Sequence, residues 1–164
     1  MRRLLCALAL LGTAFSQKPQ LVGEFTVPDV ARAVVLAPGG KHIVVATAPT
    51  KATLFDTVTK SKLRDLDSTE SAAAAAFSPD GSLLGIAHES GAFQVWSVAD
   101  GKLVQSGTVG KDVVHHVCFS PDNKRAAFAA ESGAIRIFDL ATGKAVGPFA
   151  PAFGGTWGIA FSTD

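Results

Sequence analysis

From Val30 onward the chain alternates short apolar segments with turn clusters built from Gly, Pro, Asp, Asn and Ser. Ala92-Phe93-Gln94-Val95-Trp96 and Ala134-Ile135-Arg136-Ile137-Phe138 keep a two-residue period, the pattern of a strand with one face buried. Leu83 to Ala87, Ala126 to Ala130 and the largely apolar Val113 to Phe119 are runs of strand length bounded by turns. Short segments at Leu103 to Ser106 and Ala145 to Phe149, each preceded by a Gly-Lys turn, predict a further strand apiece. Between the apolar segments stand Ser-Pro-Asp-Gly and Ser-Pro-Asp-Asn. There Pro presets φ, Asp bonds nearby backbone, and Gly or Asn tolerates φ > 0, so each is a hairpin turn.

The same grammar recurs along the chain. Leu36-Ala37-Pro38-Gly39-Gly40, Phe77-Ser78-Pro79-Asp80-Gly81, Phe119-Ser120-Pro121-Asp122-Asn123 and Phe161-Ser162-Thr163-Asp164 align with spacings of 41, 42 and 42 residues. Phe55, Trp96 and Phe138 form a second column with spacings of 41 and 42. A period of this length with four short strands in it describes one blade of a β-propeller. The prediction is therefore all-β: blades of four antiparallel strands, about three of them plus the first strand of a fourth. The repeats fall near 30–70, 71–111, 112–152 and, in part, 153–164. Ala72 to Ala76 objects locally, because alanine favours helix. Its alignment with Arg32 to Val35 and Val114 to Val117 makes it a strand, nearest the axis, where crowding favours small side chains.

These residues resemble WD40 repeats, a family in which a Phe-Ser-Pro-Asp-Gly turn precedes a strand ending in Trp-Asp, and equally the broader YVTN-like bacterial propellers. The resemblance covers residues 30–164. It departs from the family where Gly110-Lys111 replaces Gly-His. Trp-Asp appears as Phe55-Asp56, Trp96-Ser97 and Phe138-Asp139, and Ser90 or Ser132 takes the place of a turn Asp. The polar network that ties such blades together cannot be assembled from these residues, so apolar packing must hold them.

Composition changes the picture at the N-terminus. Residues 1–16 read as a secretory signal peptide: Arg2 and Arg3, an apolar stretch from Leu4 to Leu11, and the small-x-small site Ala14-Phe15-Ser16. The stretch is too short to span a membrane, which needs about 20 residues. An extracytoplasmic protein, periplasmic or secreted, with no membrane span is expected. Its removal takes Cys6 as well, leaving Cys118 without an intramolecular partner. The net charge of the whole chain is +1, which argues against nucleic acid as a partner. Hydrophobic residues make up 48% and charged residues 18%, against about 25% charged in ordinary domains. Blades that bury apolar side chains against two neighbours account for that deficit.

Candidate chemistry is sparse. His42, His88, His115 and His116 have no metal-ligand spacing, and adjacent histidines on a strand point to opposite faces, so His115 and His116 cannot chelate one metal without help from elsewhere and no metal or cofactor site is expected. Ser78, Ser120 and Ser162 recur before the turn and read as turn formers, not nucleophiles. The most varied column lies four residues before each Phe: Arg32, Ala73, His115 and Trp157. The resemblance implies that the loop leading into each blade shares one rim of the channel with the turn between strands two and three. Lys51, Glu89 and Glu131 would border that rim. Arg32, His115, Trp157, Lys51, Glu89 and Glu131 are therefore the candidate partner contacts; the other reading is that His115 and Trp157 pack between blades.

The sequence thus points to an exported, non-catalytic module that binds or scaffolds a protein partner. The alternative is the N-terminal part of an extracytoplasmic propeller enzyme resembling a lactonase or quinoprotein dehydrogenase. A receptor or sensor propeller is a third reading. Propellers close with roughly four to eight blades, so ring closure is expected to need further repeats or self-association.

Overall fold

The computed structural model describes residues 2–5, 24–27, 29–47, 51–68, 70–146 and 155–163; the other positions, among them most of the predicted signal peptide at 1–16 and Gly147 to Phe149, lie outside the described residues. β1 (Arg2–Leu5) and β2 (Glu24–Val27) pair antiparallel as a two-stranded sheet of their own. The rest is a series of antiparallel meanders. Blade 1 comprises β3 (Ala31–Leu36), β4 (His42–Thr47), β5 (Lys51–Asp56) and β6 (Lys62–Asp67). Blade 2 comprises β7 (Ala72–Phe77), β8 (Leu83–His88), β9 (Ala92–Ser97) and β10 (Leu103–Thr108). Blade 3 comprises β11 (Val114–Phe119), β12 (Arg125–Ala130) and β13 (Ile135–Asp139), and a bridge between Phe138 and Ala145 marks where a fourth strand starts. The chain is all-β, built of propeller blades.

The turns form for the reasons their residues dictate. Ser78 Oγ donates to Asp80 Oδ1 at 2.6 Å and accepts the Leu83 N–H at 2.9 Å. Ser120 repeats both bonds with Asp122 at 2.5 Å and the Arg125 N–H at 2.9 Å. Gly81 and Asn123 sit at φ 73° and 57°, the left-handed conformation that Gly and Asn tolerate. These hydroxyls are committed to the turn, as the repeat pattern implied.

The inner strands β3, β7 and β11 stand side by side, so two apolar seams form between the three blades. The first holds Val44, Ala52, Leu54, Leu66, Ile86 and Trp96; the second holds Val95, Val117, Phe119 and the rings of Phe93, Phe128 and Phe138. Phe93 stacks on Phe128 with centroids 4.2 Å apart and meets Phe138 at 4.5 Å. The alanine run of β7 is a strand because it is sandwiched between β3 and β11, where small side chains let the backbones approach. The indole N–H of Trp96, only 7% exposed, has no acceptor among the described residues, in keeping with the missing polar network.

A latch repeats at the outer edge. Arg64 of β6 reaches across to the next blade and donates to Ala99 O at 2.9 Å, while Gln105 of β10 does the same to Gly143 O at 3.3 Å. Gly101 and Gly143, both at φ 69°, lie beneath these side chains.

One expectation needs correction. Gly155 to Thr163 lie along β11 where the first strand of a fourth blade is predicted, yet they carry no strand. An inner strand takes its ladder from the second strand of its own blade, and among the described residues no such strand pairs with this segment.

Candidate functional site: the bulged rim

Each inner strand carries a β-bulge near its start. In β3 the register jumps between Ala31, opposite Thr47, and Ala33, opposite Ala46; in β7 between Ala72 and Ala74; in β11 between Val114 and His116. The residues left out of the ladders are Arg32, Ala73 and His115. The varied column of the sequence is thus the bulge column, and its freedom has a cause: a bulged residue has no ladder partner and its side chain is re-aimed away from the alternation of the strand.

The bulge also corrects the reading of the two histidines. His115 and His116 do not point to opposite faces, because the extra residue shifts the alternation by one. Both meet the segment that follows blade 3. The His115 ring stacks on Trp157 with centroids 4.9 Å apart and planes 20° from parallel. His116 Nδ1 accepts the Ile159 N–H at 3.4 Å. Two residues on, burial pushes the Cys118 thiol pKa up, and the thiol lies beside the Phe161 backbone. Thr156 Oγ1 completes the attachment by donating to Gly133 O at 3.5 Å.

The other rim residues are arranged unequally. Arg32 Nη1 crosses from blade 1 to Glu89 Oε1 of blade 2 at 3.3 Å. Glu131 Oε2 lies 3.7 Å from His115 Nε2, outside hydrogen-bond distance, and that buried Nε2 has no hydrogen-bond partner among the described residues. Backbone bonds fix both glutamates on their turns, from Glu89 N–H to Ser71 O at 3.1 Å and from Glu131 N–H to Val113 O at 2.8 Å. Lys51 stands apart. It lines a cleft of about 210 Å³ on the far side of blade 1 with Asp29, Thr53 and Asp65, and the charges of Lys62 and Lys51 help hold the Asp65 carboxyl below its usual range after the hydrogen bonds from Lys62 and Thr53.

Sequence reasoning missed Glu70, whose carboxylate accepts the Ser90 hydroxyl on the rim of blade 2. A signal for it existed: Asp29, Glu70 and Asp112 form an acidic column three residues ahead of the bulge, with spacings of 41 and 42. Asp29 lies with Lys51 in the cleft of blade 1, and of the rest Glu70, Asp112, Glu89 and Glu131 outnumber Arg32 and Lys111, so the rim is acidic. Among the described residues no group of three or more His, Cys, Asp or Glu is placed to hold a metal ion, and no helix is long and apolar enough to cross a membrane.

Neither a protein-family model nor a curated protein sequence matches the chain. Solved structures match its fold. The computationally designed Ika4 protein superposes with a TM-score of 0.74 at 18% identity, over 84% of this chain and 82% of its own. Hydrazine synthase of Kuenenia stuttgartiensis superposes with a TM-score of 0.69 at 21% identity, over 79% of this chain but only 39% of its own. At such identities the likeness concerns the fold alone.

Proposed function

We propose that this chain is an exported, WD40-like propeller module, non-catalytic in itself, that holds a protein partner on its bulged rim. The observation that carries the reading is the bulge column. One backbone position, repeated in three blades and released from both ladder and seam, bears Arg32, Ala73 and His115, and beside the last stands Trp157, 72% exposed. A rigid meander that presents changing side chains from a constant backbone suits recognition. The leader at residues 1–16 supports export: the secreted protein should begin at Gln17 by mass spectrometry, and retention of residues 1–16 would count against it.

The rim itself is tested in the source cell. A photoreactive residue at position 157 should crosslink one partner. That partner, purified, should bind the wild-type protein and lose binding to the triple variant Arg32→Ala, His115→Ala, Trp157→Ala. A control at Val58→Ser, an exposed position on the opposite rim, should bind normally. Equal affinity of the triple variant and the wild type would remove the rim from the account.

A further inference from the structure

Resting on the rim reading above, we propose that the end of blade 3 is a socket for one arginine side chain of the partner. Three features meet there. The Trp157 indole has one face stacked on His115 and is otherwise open to solvent. It is held in place from both sides in sequence, through Thr156 to Gly133 and through Ile159 to His116. Glu131 is beside it: a methyl group on the intervening Gly155 would come 2.9 Å from Glu131 O and 3.4 Å from Trp157 Nε1.

Glu131 differs from the other rim glutamates in what it faces. Glu89 has the Arg32 guanidinium and Glu70 has the Ser90 hydroxyl, whereas the charged contact of Glu131 among the described residues is His115 Nε2 at 3.7 Å. Among the described residues the half-exposed carboxylate has no Lys or Arg within ion-pair distance. An open indole face beside an unneutralised carboxylate asks for a flat cation rich in N–H donors. A guanidinium stacks on the indole while donating in-plane to the carboxylate, two demands that a compact ammonium cannot meet at once. The rim carboxylates Glu70, Glu89, Asp112 and Glu131 attract a basic segment and repel phosphate groups, so a polypeptide is favoured over a nucleic acid.

The test uses the full chain and three blocked pentapeptides, glycine throughout except for a central arginine, citrulline or lysine. Citrulline keeps the shape of arginine and removes its charge. The chain has two tryptophans, and ¹⁵N-labelled protein reports both indole N–H resonances, assigned with Trp157→Phe. The arginine peptide should shift the Trp157 resonance and leave Trp96 in place. Citrulline should give no shift, and lysine should bind more weakly. Glu131→Gln should weaken arginine binding at least tenfold, and Trp157→Ala should abolish it. Both side chains are exposed, so both variants should keep the circular dichroism of the wild type. Equal binding of arginine and citrulline, equal binding of arginine and lysine, or an unchanged affinity in Glu131→Gln would each overturn the proposal. A partner lost by the triple rim variant, yet indifferent to Glu131→Gln and to competition by the arginine peptide, would sink the socket and leave the rim reading standing.

Discussion

Blades 1 and 2 fill the same place in their seams by opposite means. In blade 1 the small Ala52 of β5 faces the large Leu66 of β6; in blade 2 the large Phe93 of β9 faces Gly107 of β10. Ala52, Leu66 and Phe93 are all buried, and a methyl group at Gly107 would lie 2.9 Å from the Phe93 ring. Volume is therefore held constant over the cross-strand pair, not at each position. The partner blades follow suit: Ala52 and Leu66 meet the seam of Ile86 and Trp96, while Phe93 meets Phe128 and Phe138. A propeller seam tolerates a reshuffled column as long as its facing pairs add up, because close packing punishes both voids and overlaps.

The largest effect should come from emptying the pair in blade 2. Phe93→Ala removes a fully buried ring stacked on Phe128 and tilted against Phe138, and should cost about 3–5 kcal/mol in a denaturant titration. The double variant Phe93→Ala, Gly107→Leu copies the arrangement of blade 1 into blade 2. It should be more stable than Phe93→Ala alone, with the ring contacts to Phe128 and Phe138 still lost; no recovery would break the comparison. Overfilling the pair is milder. Gly107→Ala pushes a methyl group against the ring and should cost about 1–3 kcal/mol, the range for an overpacked core.

That exchange was beyond reach in the sequence, because Ala52 and Leu66 can be paired only once the hairpin register is known. Features fixed within one turn were legible. Ser-Pro-Asp-Gly and Ser-Pro-Asp-Asn set their own hydrogen bonds and positive φ, so the blade plan, the strand at Ala72 to Phe77 and the turn role of Ser78 and Ser120 could be read directly. The rim was half legible. Comparing repeats found Arg32, Ala73 and His115 without revealing that they are bulges, since a bulge exists only in relation to a partner strand. The same gap placed His115 and His116 on opposite faces. Lys51 was drawn to the rim by its turn, yet its side chain lines the far cleft of blade 1. Glu70 lay in an acidic column that kept the period and was passed over, because attention to varied positions discounts one that stays the same.

The smallest effect asks whether the two blades also differ energetically at the rim. Blade 1 has Arg32 in its bulge and blade 2 has Ala73, so Arg32→Ala gives blade 1 the rim of blade 2. The variant deletes one ion pair to Glu89 in which both side chains are nearly half exposed. An exposed pair of this kind contributes about 0–1 kcal/mol, since water screens it and two long side chains must be ordered to make it. Denaturant midpoints of the wild type and Arg32→Ala should accordingly differ little in low salt and converge further in molar salt, where the screening length falls to about 3 Å. A loss approaching that of Phe93→Ala would show that the ion pair, and not the buried volume, clamps the first seam. The bulge column would then serve the blade, and its variation from Arg32 to Ala73 to His115 would no longer mark a surface released for recognition.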